Sequence, residues 1–499
     1  MRLGPAILST LAGSNVAVPS FDRSQIVPGI LHVGVGNFHR AHMAAYIDDL
    51  MEEDFATNKQ WGIVGAGMFD CSKRDYLAEQ DWMQILVERD AGVSNAQVLS
   101  SMIDYLPVDV KAIEAQMEDP NIKIVSLTVT EGGYFLADGK FNAKDPNIKA
   151  DIADPENPKT IFGAIVKALK KRRDAGMTPF TVMSCDNLPH NGDVVKSVVM
   201  GLAKEIDADL ADWIEANAKF PNGMVDRITP ATTEEQQKYV LDTYGVEDHI
   251  PIFCEPFRQW VLEDNFVNGE RPQFDVLESV KFVPDVSPYE FMKIRILNGG
   301  HASLCYPSAL LGVDYVHEAM EHPTIGPFLD CLERNEIIPT VGPVPDTDLE
   351  EYWQVIEKRF SNPTLGDTIP RNCFDGASRQ PKFIVPVVKD NLEAGRCVDG
   401  LALVSAMWCK YCQGKTESGE TIKPNDPIWD ELHETALKAN KDPALWVGMS
   451  DVYGETGKNP TFVSSFAKAL EKVNAEGVEA AMKAYIESKV ESESELEAA

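Results

Sequence analysis

Short apolar segments alternate with helical stretches over the first third of the chain. This alternation is typical of a parallel β-sheet whose strands are joined by crossover helices. A helix is predicted at about 41–53, and a polar, proline-punctuated surface loop at 142–159. Each predicted strand is rich in Ile and Val or ends in small, turn-forming residues, and the four lie at 29–35, 62–65, 122–129 and 179–184.

The pattern changes from about Pro284 onward, where apolar residues recur at helical spacing and β-rich runs become rare. The two patterns together predict an α/β domain over residues 1–284 and a mostly α-helical domain over residues 285–499. Within the second domain, helices are predicted at 401–411, 428–438, 460–475 and 478–489.

The charge balance narrows the choice of partners. The chain has 46 Lys plus Arg against 78 Asp plus Glu, a net charge of −32, which disfavours nucleic acid and anionic membranes. A small anionic ligand is still compatible, because a few oriented backbone amides can hold it locally. The nine cysteines are scattered and fit a reducing compartment, and no stretch of 18 apolar residues appears. We therefore expect a cytoplasmic protein.

A glycine turn follows the first predicted strand and precedes a helix. Gly34 permits a tight turn, and Gly36 lets the backbone approach a pyrophosphate at the helix N-terminus. His39 stands where the third glycine of a dinucleotide fingerprint is expected. The position of the motif, early in the chain and between a strand and a helix, favours a dinucleotide site.

The second predicted strand is followed by an acidic residue, Asp70. A carboxylate there accepts hydrogen bonds from both ribose hydroxyls and repels a 2′-phosphate, so it favours NAD over NADP. Lys73 and Arg74 follow closely and can reach a 2′-phosphate, which keeps NADP open.

Residues 287–301 hold the densest set of reactive side chains. Ser287 with Glu290 has the spacing of a capping box, and Pro288 fits the first helical position, so a helix is predicted to begin here. Each polar residue of the segment also has an ordinary structural explanation: an exposed lysine, a hydrogen-bonded histidine, a helix end at Asn-Gly. At 100° per residue an arc of about 140° contains Glu290, Lys293, Leu297, Asn298 and His301.

Five sequence blocks resemble those of the polyol-specific long-chain dehydrogenases. The spacing Lys293-x4-Asn298-x2-His301 resembles the catalytic signature of that family. The other blocks lie in the family's order at 34–42, 130–134, 185–192 and 220–230. The resemblance implies a Rossmann-type domain followed by a largely helical domain.

The resemblance also implies a reaction. It is reversible hydride transfer between a secondary alcohol and NAD without a metal, with D-mannitol and D-fructose as the leading pair. Lys293 would be the general base, and Asn187 and Asn298 the amide donors to the developing alkoxide. A base of this type needs burial and a nearby cation to lower its pKa, and Arg295 and the nicotinamide are the candidates.

Further roles follow from the same resemblance. His301 would bind and orient the substrate, and Glu290 would assist proton exit with Glu131 nearby. Asp226 matches an acid that contacts substrate, and its structural alternative is a pair with Arg227. The cofactor would be held by the turn and the acid that follows the second strand: Gly34, Gly36, Phe38, His39, Arg40 and Asp70.

The sequence leaves two alternatives for the far end of the substrate, which carries either hydroxyl groups or a carboxylate. Arg371 and Arg379 lie in a segment that resembles the one gripping the far hydroxyls, and Arg379 stands where the family commonly has Lys. Because two arginines can also hold a carboxylate, the alternative is a reductase of hexuronates such as fructuronate or tagaturonate. A non-catalytic NAD-binding protein is a third possibility, although such a protein has no need of Lys293. The expected partners are a small polyol or ketose, not nucleic acid or membrane, and the expected state is a monomer or small homo-oligomer.

Overall fold

The computed structural model describes residues 1–137 and 139–497, apart from the side chains of Val93, Glu131 and residues 492–497. The chain forms two compact units, Met1–Ser287 and Pro288–Ala499. In the described residues the strands, in chain order, are β1 (Val16–Ala17), β2 (Pro28–Val33), β3 (Gly62–Ala66), β4 (Gln84–Asp90), β5 (Val93–Leu99), β6 (Met102–Tyr105), β7 (Ile124–Leu127), β8 (Leu136–Ala137), β9 (Lys140–Phe141), β10 (Thr181–Ser184), β11 (Gly223–Asp226), β12 (Ile252–Cys254), β13 (Gln259–Glu263) and β14 (Val280–Val283).

The first unit also contains helices that connect and cover these strands. They are α1 (Pro5–Leu11), α2 (Asn37–Ala41), α3 (Met43–Glu53), α4 (Phe55–Asn58), α5 (Ser72–Glu79), α6 (Val110–Met117), α7 (Pro146–Ala153), α8 (Ile161–Asp174), α9 (Asn191–Ile206), α10 (Ala208–Asn217) and α11 (Glu234–Tyr244).

A five-stranded parallel sheet is the centre of the first unit. Its strand order is β10-β7-β2-β3-β6, with β2 in the middle. Leu31 and Val33 point into one hydrophobic cluster and Ile30 into another, so the sheet is buried on both faces. Parallel sheets covered by helices on both faces have this pattern. All four predicted strands form, with ends shifted by at most two residues, and the predicted fold class is confirmed.

The described residues form three further sheets that were not predicted, the smallest being the antiparallel pair β8–β9. The antiparallel pair β4–β5 forms a mixed sheet of order β1-β5-β4-β12, and β11, β13 and β14 form a third sheet. The helix predicted at 41–53 forms as α3, which begins two residues later, and the short helix α2 before it was not predicted. His42, with φ −117° and ψ −93°, separates the two helices. The break turns the chain between the glycine turn and the long helix that follows it.

The surface loop predicted at 142–159 is wrong over its centre, where α7 forms. The Asp145 carboxylate accepts a hydrogen bond from the Asn147 N–H at 2.8 Å, and Pro146 occupies the first helical position. Proline there is a helix-start signal, since its missing N–H has no partner to lose. The buried Asp151 then accepts from the Thr160 hydroxyl at 2.5 Å, which ties the following loop to α7.

The chain from Ser287 onward is helical. All four helices predicted here form, with ends shifted by at most two residues except at the C-terminal end of α25, which extends to Glu497. The helices are α12 (Ser287–Lys293), α13 (Gly299–Leu310), α14 (Val316–Glu321), α15 (Ile325–Leu332), α16 (Leu349–Phe360), α17 (Ile369–Cys373), α18 (Gly376–Phe383), α19 (Val385–Glu393), α20 (Asp399–Cys412), α21 (Trp429–Ala439), α22 (Ala444–Val447), α23 (Ser450–Tyr453), α24 (Pro460–Glu476) and α25 (Val478–Glu497).

Helix α20 forms the centre of the second unit. Its side chains are nearly all buried, and it packs against α13 and α24. Cys409 and Cys412 are both buried free cysteines on this helix. In the described part of the chain, no helix is both long enough and apolar enough to cross a membrane.

Candidate functional site

The glycine turn begins where β2 ends. Gly34 has φ +99°, and its N–H donates to the Ala66 carbonyl at 2.9 Å. A Cβ atom on Gly34 would overlap the carbonyl oxygen of Thr128, whose hydroxyl donates to the Gly34 carbonyl at 2.6 Å. Only glycine satisfies both the backbone angle and this close approach.

Gly36 has a different environment. It precedes α2 with an extended backbone, and the nearest heavy atom to a Cβ there would be the Gly34 carbonyl oxygen, at 3.8 Å. The protein itself therefore leaves space at Gly36, which suits a bulky anion lying against the backbone. Phe38 is half-buried and stacks on His42, with ring centroids 4.7 Å apart.

His39 and Arg40 point into the protein. The His39 ring is buried and stacks on His32 at a centroid distance of 3.5 Å. Burial holds the pKa of His39 well below its usual range, so the ring is neutral. The Arg40 guanidinium is also buried and donates to the Ile250 carbonyl at 2.6 Å and to the Asn37 side chain at 2.7 Å. Through these contacts both residues stabilise the glycine turn from the interior of the protein.

Asp70 lies in the loop after β3 and is exposed. Its carboxylate accepts hydrogen bonds from the N–H of Ser72, at 3.0 Å, and from the Ser72 hydroxyl. These bonds lower the pKa of Asp70, so it presents a fixed negative charge to solvent. Arg74 is directed away, with Nε donating to the Tyr105 carbonyl at 3.0 Å.

The loops after β7 and β10 are joined by one carboxylate. Asp186 accepts hydrogen bonds from the Val129 and Thr130 N–H groups at 2.9 and 3.1 Å, and from the Tyr134 hydroxyl at 2.5 Å. Thr130 has φ +66°, a strained angle for a β-branched residue. Asp186 thus ties the loop after β7 to the loop that carries its neighbour Asn187, which is exposed. The sequence prediction missed Asp186, although it lies in the matched block 185–192.

Glu131 and Asp226 are the other predicted substrate-binding residues of this unit. The backbone of Glu131 belongs to the 3₁₀ turn Glu131–Tyr134, and its side chain lies outside the described residues. Asp226 is buried at the end of β11. Its neighbour Arg227 pairs with Glu88 and donates to the Ala41 carbonyl at 2.5 Å, so the guanidinium anchors the start of α3.

The predicted catalytic helix forms, but it is not a uniform α-helix. A π-helical turn, Ile294–Asn298, separates α12 from α13. In this turn the Gly299 N–H donates to the Ile294 carbonyl, an i→i+5 hydrogen bond. The 140° arc assumed a constant 100° per residue, so the wide turn changes the angle between Lys293 and Asn298. Turns of this kind are frequent at functional sites.

Lys293 and Glu290 are both buried, at 6% exposure each. Two ionisable groups buried on one helix turn are typical of functional sites. Arg295 was a candidate cation for lowering the pKa of Lys293, but its charge is compensated. Its guanidinium pairs with Asp390 at 2.5 Å and donates to the Thr340 hydroxyl at 2.6 Å.

His301 lies one turn further along, on α13. Its Nε2 is 3.4 Å from Oδ2 of Asp367, and its ring packs on Phe360 with centroids 4.1 Å apart. Oδ1 of the same carboxylate accepts from Arg371 at 3.0 Å and from Asn372 at 3.0 Å. Sequence reasoning missed Asp367, because an isolated aspartate in a loop carries no local signal.

Gly300 allows another segment to approach the catalytic helix. A Cβ there would lie 3.0 Å from Oε1 of Glu333, which is fully buried. Burial raises the pKa of Glu333 well above its usual range, so this carboxyl is neutral. Gly300 therefore serves packing.

Arg379, the second arginine of the predicted substrate segment, forms no ion pair with a carboxylate in the part of the chain that the structure describes. Arg379 is half-buried on α18, and its guanidinium lies 5.7 Å from the ring of Phe383. Arg371 is more exposed and is tied to Asp367. Within the described residues, no group of three or more His, Cys, Asp or Glu side chains is arranged to hold a metal ion.

Comparisons with known proteins identify the family that has this architecture. The family model of the mannitol dehydrogenase Rossmann domain matches residues 28–276, and that of the mannitol dehydrogenase C-terminal domain matches residues 285–474. A mannitol 2-dehydrogenase of Cereibacter sphaeroides is 50% identical over 477 residues, covering 95% of this chain and 99% of that protein.

Two solved structures are similar over nearly the whole chain. The Pseudomonas fluorescens mannitol 2-dehydrogenase, solved as a ternary complex with NAD and D-mannitol, has a TM-score of 0.87 and 39% identity, covering 98% of this chain and 100% of that one. A D-sorbitol dehydrogenase in substrate-free form has a TM-score of 0.87 and 36% identity, covering 97% of this chain and 100% of that one.

A parallel sheet that ends in the Gly34 turn, followed in the chain by a helix with a buried lysine and glutamate, defines a Rossmann-type dehydrogenase. The chain belongs to the mannitol dehydrogenase family.

Proposed function

We propose that this protein catalyses the reversible, NAD-dependent oxidation of D-mannitol to D-fructose. The observation that carries the proposal is the helix Ser287–Leu310, on which buried Lys293 and Glu290 precede Asn298 and His301 across a π-helical turn. The name of the 50% identical relative and the ligands of the Pseudomonas fluorescens complex support the choice of substrate and cofactor.

The residues of the first unit fit an adenine dinucleotide. Gly36 leaves open space beside the backbone, and Asp70 offers a fixed carboxylate for the ribose hydroxyls. Gly34 and Phe38 complete the turn that would hold it, and His39 and Arg40 act from inside the protein. When bound, the nicotinamide supplies the acceptor or donor of the hydride.

The proposed base is Lys293. Burial disfavours the charged form of an amine, so a buried lysine is suited to accept the proton of the substrate hydroxyl. Glu290, one turn earlier on the same helix, is proposed to pass that proton onward. We propose Asn187 and Asn298 as donors to the developing alkoxide, since amides donate without titrating.

The pairing of Arg371 with Asp367 disfavours this arginine as the cation for a uronate carboxylate. A uronate carboxylate needs an uncompensated cation, and Asp367 already accepts two hydrogen bonds from this guanidinium, at 3.0 and 3.2 Å. Arg379, Asp226 and Glu131 are proposed to contact the remaining hydroxyls.

A substrate panel tests the proposal. Purified protein with NAD and D-mannitol should produce NADH, followed by its absorbance, with D-sorbitol, hexonates and NADP run in parallel. EDTA should leave the rate unchanged, because the proposed chemistry needs no metal. Turnover of a hexonate without turnover of mannitol would overturn the proposal.

Replacement of the base gives a second test. Lys293→Ala should lower kcat by roughly 10²- to 10⁴-fold, the usual contribution of a general base, while NADH binding measured by fluorescence stays nearly intact. Lys389→Ala, which removes an exposed lysine of α19, serves as the matched control and should keep full activity. Equal losses of turnover and NADH binding in Lys293→Ala would indicate a structural lysine instead.

A further inference from the structure

The imidazole of His301 lies beside the carboxylate of Asp367. Nε2 lies 3.4 Å from Oδ2 of Asp367, longer than a well-formed hydrogen bond. Both atoms are buried, and neither has a hydrogen-bond partner among the residues that the structure describes. Each is therefore the polar group available to the other, and a small adjustment of the ring closes the bond.

The other oxygen of the carboxylate is already in use. Oδ1 accepts from Nε and Nη2 of Arg371 at 3.2 and 3.0 Å, and from Asn372 at 3.0 Å. The backbone beneath it is held as well, because the Asp367 carbonyl accepts from the Val316 N–H at 2.9 Å. Oδ1 of the carboxylate therefore accepts from Arg371, and Oδ2 is directed toward His301.

Charge supports the same arrangement. His301 and Arg371 favour the ionised carboxylate strongly enough to lower the pKa of Asp367 to about 2, although burial acts in the opposite direction. Burial lowers the pKa of His301, with Arg379 and Arg371 acting in the same direction and Asp367 opposing them. At neutral pH the pair is thus an anionic carboxylate beside a neutral imidazole.

We propose that Asp367 is a positioning residue that keeps the proton of His301 on Nε2 and holds Arg371 at a fixed distance from that ring. Nδ1 then has a free lone pair that can accept a hydrogen bond from a polyol hydroxyl. The inference rests on the proposed function, since it assigns the roles of two side chains toward that substrate.

Asp367→Asn tests the inference because it keeps the shape and removes the charge. We expect kcat/KM for the polyol to fall roughly 10- to 100-fold, as misplaced contact groups do, with NADH affinity unchanged. Without the nearby anion the pKa of His301 falls further, so any limb of the pH profile that depends on His301 should move to lower pH.

Double-mutant cycles show whether the effect passes through the two partners. In a His301→Gln background Asp367→Asn should lose most of its effect, and Arg371→Met should account for the remainder. Asp330→Asn is the matched control: Asp330 also pairs with an arginine at i+4, Arg334, and its loss should leave kcat/KM within about twofold.

Direct observation of the ring separates this inference from the proposed function. In ¹⁵N-histidine-labelled protein, NMR should show the Nε2–H form for the signal that His301→Gln removes, and that form should be lost or mixed in Asp367→Asn. If the latter does not fold, Asp367→Glu should still shift this signal and lower kcat/KM. An unchanged tautomer, or equal losses in the wild-type and His301→Gln backgrounds, would overturn the inference. Wild-type inactivity on every polyol would overturn the proposed function alone.

Discussion

Gly34 and Gly36 are only two positions apart, yet they meet different physical demands. The positive φ of Gly34 and the nearby Thr128 carbonyl make any side chain there a source of strain. Gly36 has neither constraint, since its extended backbone admits a Cβ without contact closer than 3.8 Å. The fold requires glycine at position 34 but not at position 36, where we propose that the dinucleotide does.

This difference predicts opposite outcomes for the same substitution. Gly34→Ala should lower the free energy of unfolding by roughly 2–5 kcal/mol, from the left-handed backbone and the overlap together. Gly36→Ala should leave stability within about 0.5 kcal/mol and weaken NADH binding roughly tenfold. Thermal unfolding and NADH fluorescence titration measure the two effects. Full NADH affinity in Gly36→Ala would remove this glycine from the dinucleotide site.

Asp48 on α3 gives a pH-dependent term in stability. It is buried and accepts a hydrogen bond from the Ser100 N–H at 2.7 Å, and burial raises its pKa to about 7. An unfolded aspartate titrates near pH 3.9, so between about pH 4 and 7 unfolding releases a proton and the stability of the folded state falls as pH rises.

Asp48→Asn removes this dependence. Relative to wild type, the variant should gain stability as pH rises from about 4 to about 7, by up to about 4 kcal/mol, and the gain should level off above that range. Urea unfolding at a series of pH values measures the difference. A difference that stays constant with pH would mean that Asp48 is ionised throughout.

At the scale of elements, the four predicted strands all belong to the central five-stranded sheet, which is buried on both faces. β2 and β7 are mainly apolar, with His32 and Ser126 as buried polar exceptions, because parallel strands covered by helices have no polar face. β4 and β5 carry polar residues at alternate or terminal positions, and only their antiparallel pairing identifies them. α7 was missed because Pro146 was taken as a break rather than a start.

The same reasoning explains which site residues were accessible from sequence. The spacing of Lys293, Asn298 and His301 is local, so a motif within one helix could indicate them. Asp186 and Asp367 act through partners that lie far away in the chain or on other elements. No local pattern encodes such pairings, and only the folded chain brings them together.

The Asp186 link between two loops predicts a joint loss of stability and turnover. Asp186→Ala removes the acceptor of the Val129 and Thr130 N–H groups, and each of these part-buried hydrogen bonds contributes about 0.5–1.5 kcal/mol. The loop bearing Asn187 should then loosen, and kcat should fall. Tyr134→Phe removes one donor to this carboxylate and should cost about 1 kcal/mol with a smaller loss of kcat. Urea unfolding and steady-state kinetics measure both, and equal behaviour of the two variants would contradict the link.

At the scale of the whole molecule, the net charge of −32 acts on the cofactor and not on the substrate. An anionic dinucleotide is repelled at long range, and salt screens this repulsion, since the Debye length falls from about 30 Å at 0.01 M to about 8 Å at 0.15 M. The KM for NAD should therefore decrease over that range, while the KM for uncharged D-mannitol should stay constant. Parallel changes in both constants would point to a conformational effect of salt.

Because a π-helical turn lies between Lys293 and Asn298, the number of residues between them does not by itself determine the angle between their side chains. Deleting one residue from 294–298 would let the segment run as ordinary α-helix, and the backbone hydrogen-bond ladder would close without a gap. The residues beyond the turn would keep their angle to Lys293, because five residues in the wide turn rotate the chain about as far as four residues of an α-helix. The wide turn therefore places Asn298 and His301 around the helix as if they followed Lys293 by four and seven residues, which is the spacing of one helix face. Deleting one residue from 294–298 should thus disturb these directions less than deleting one from α13 upstream of His301, where nothing offsets the lost rotation of about 100°.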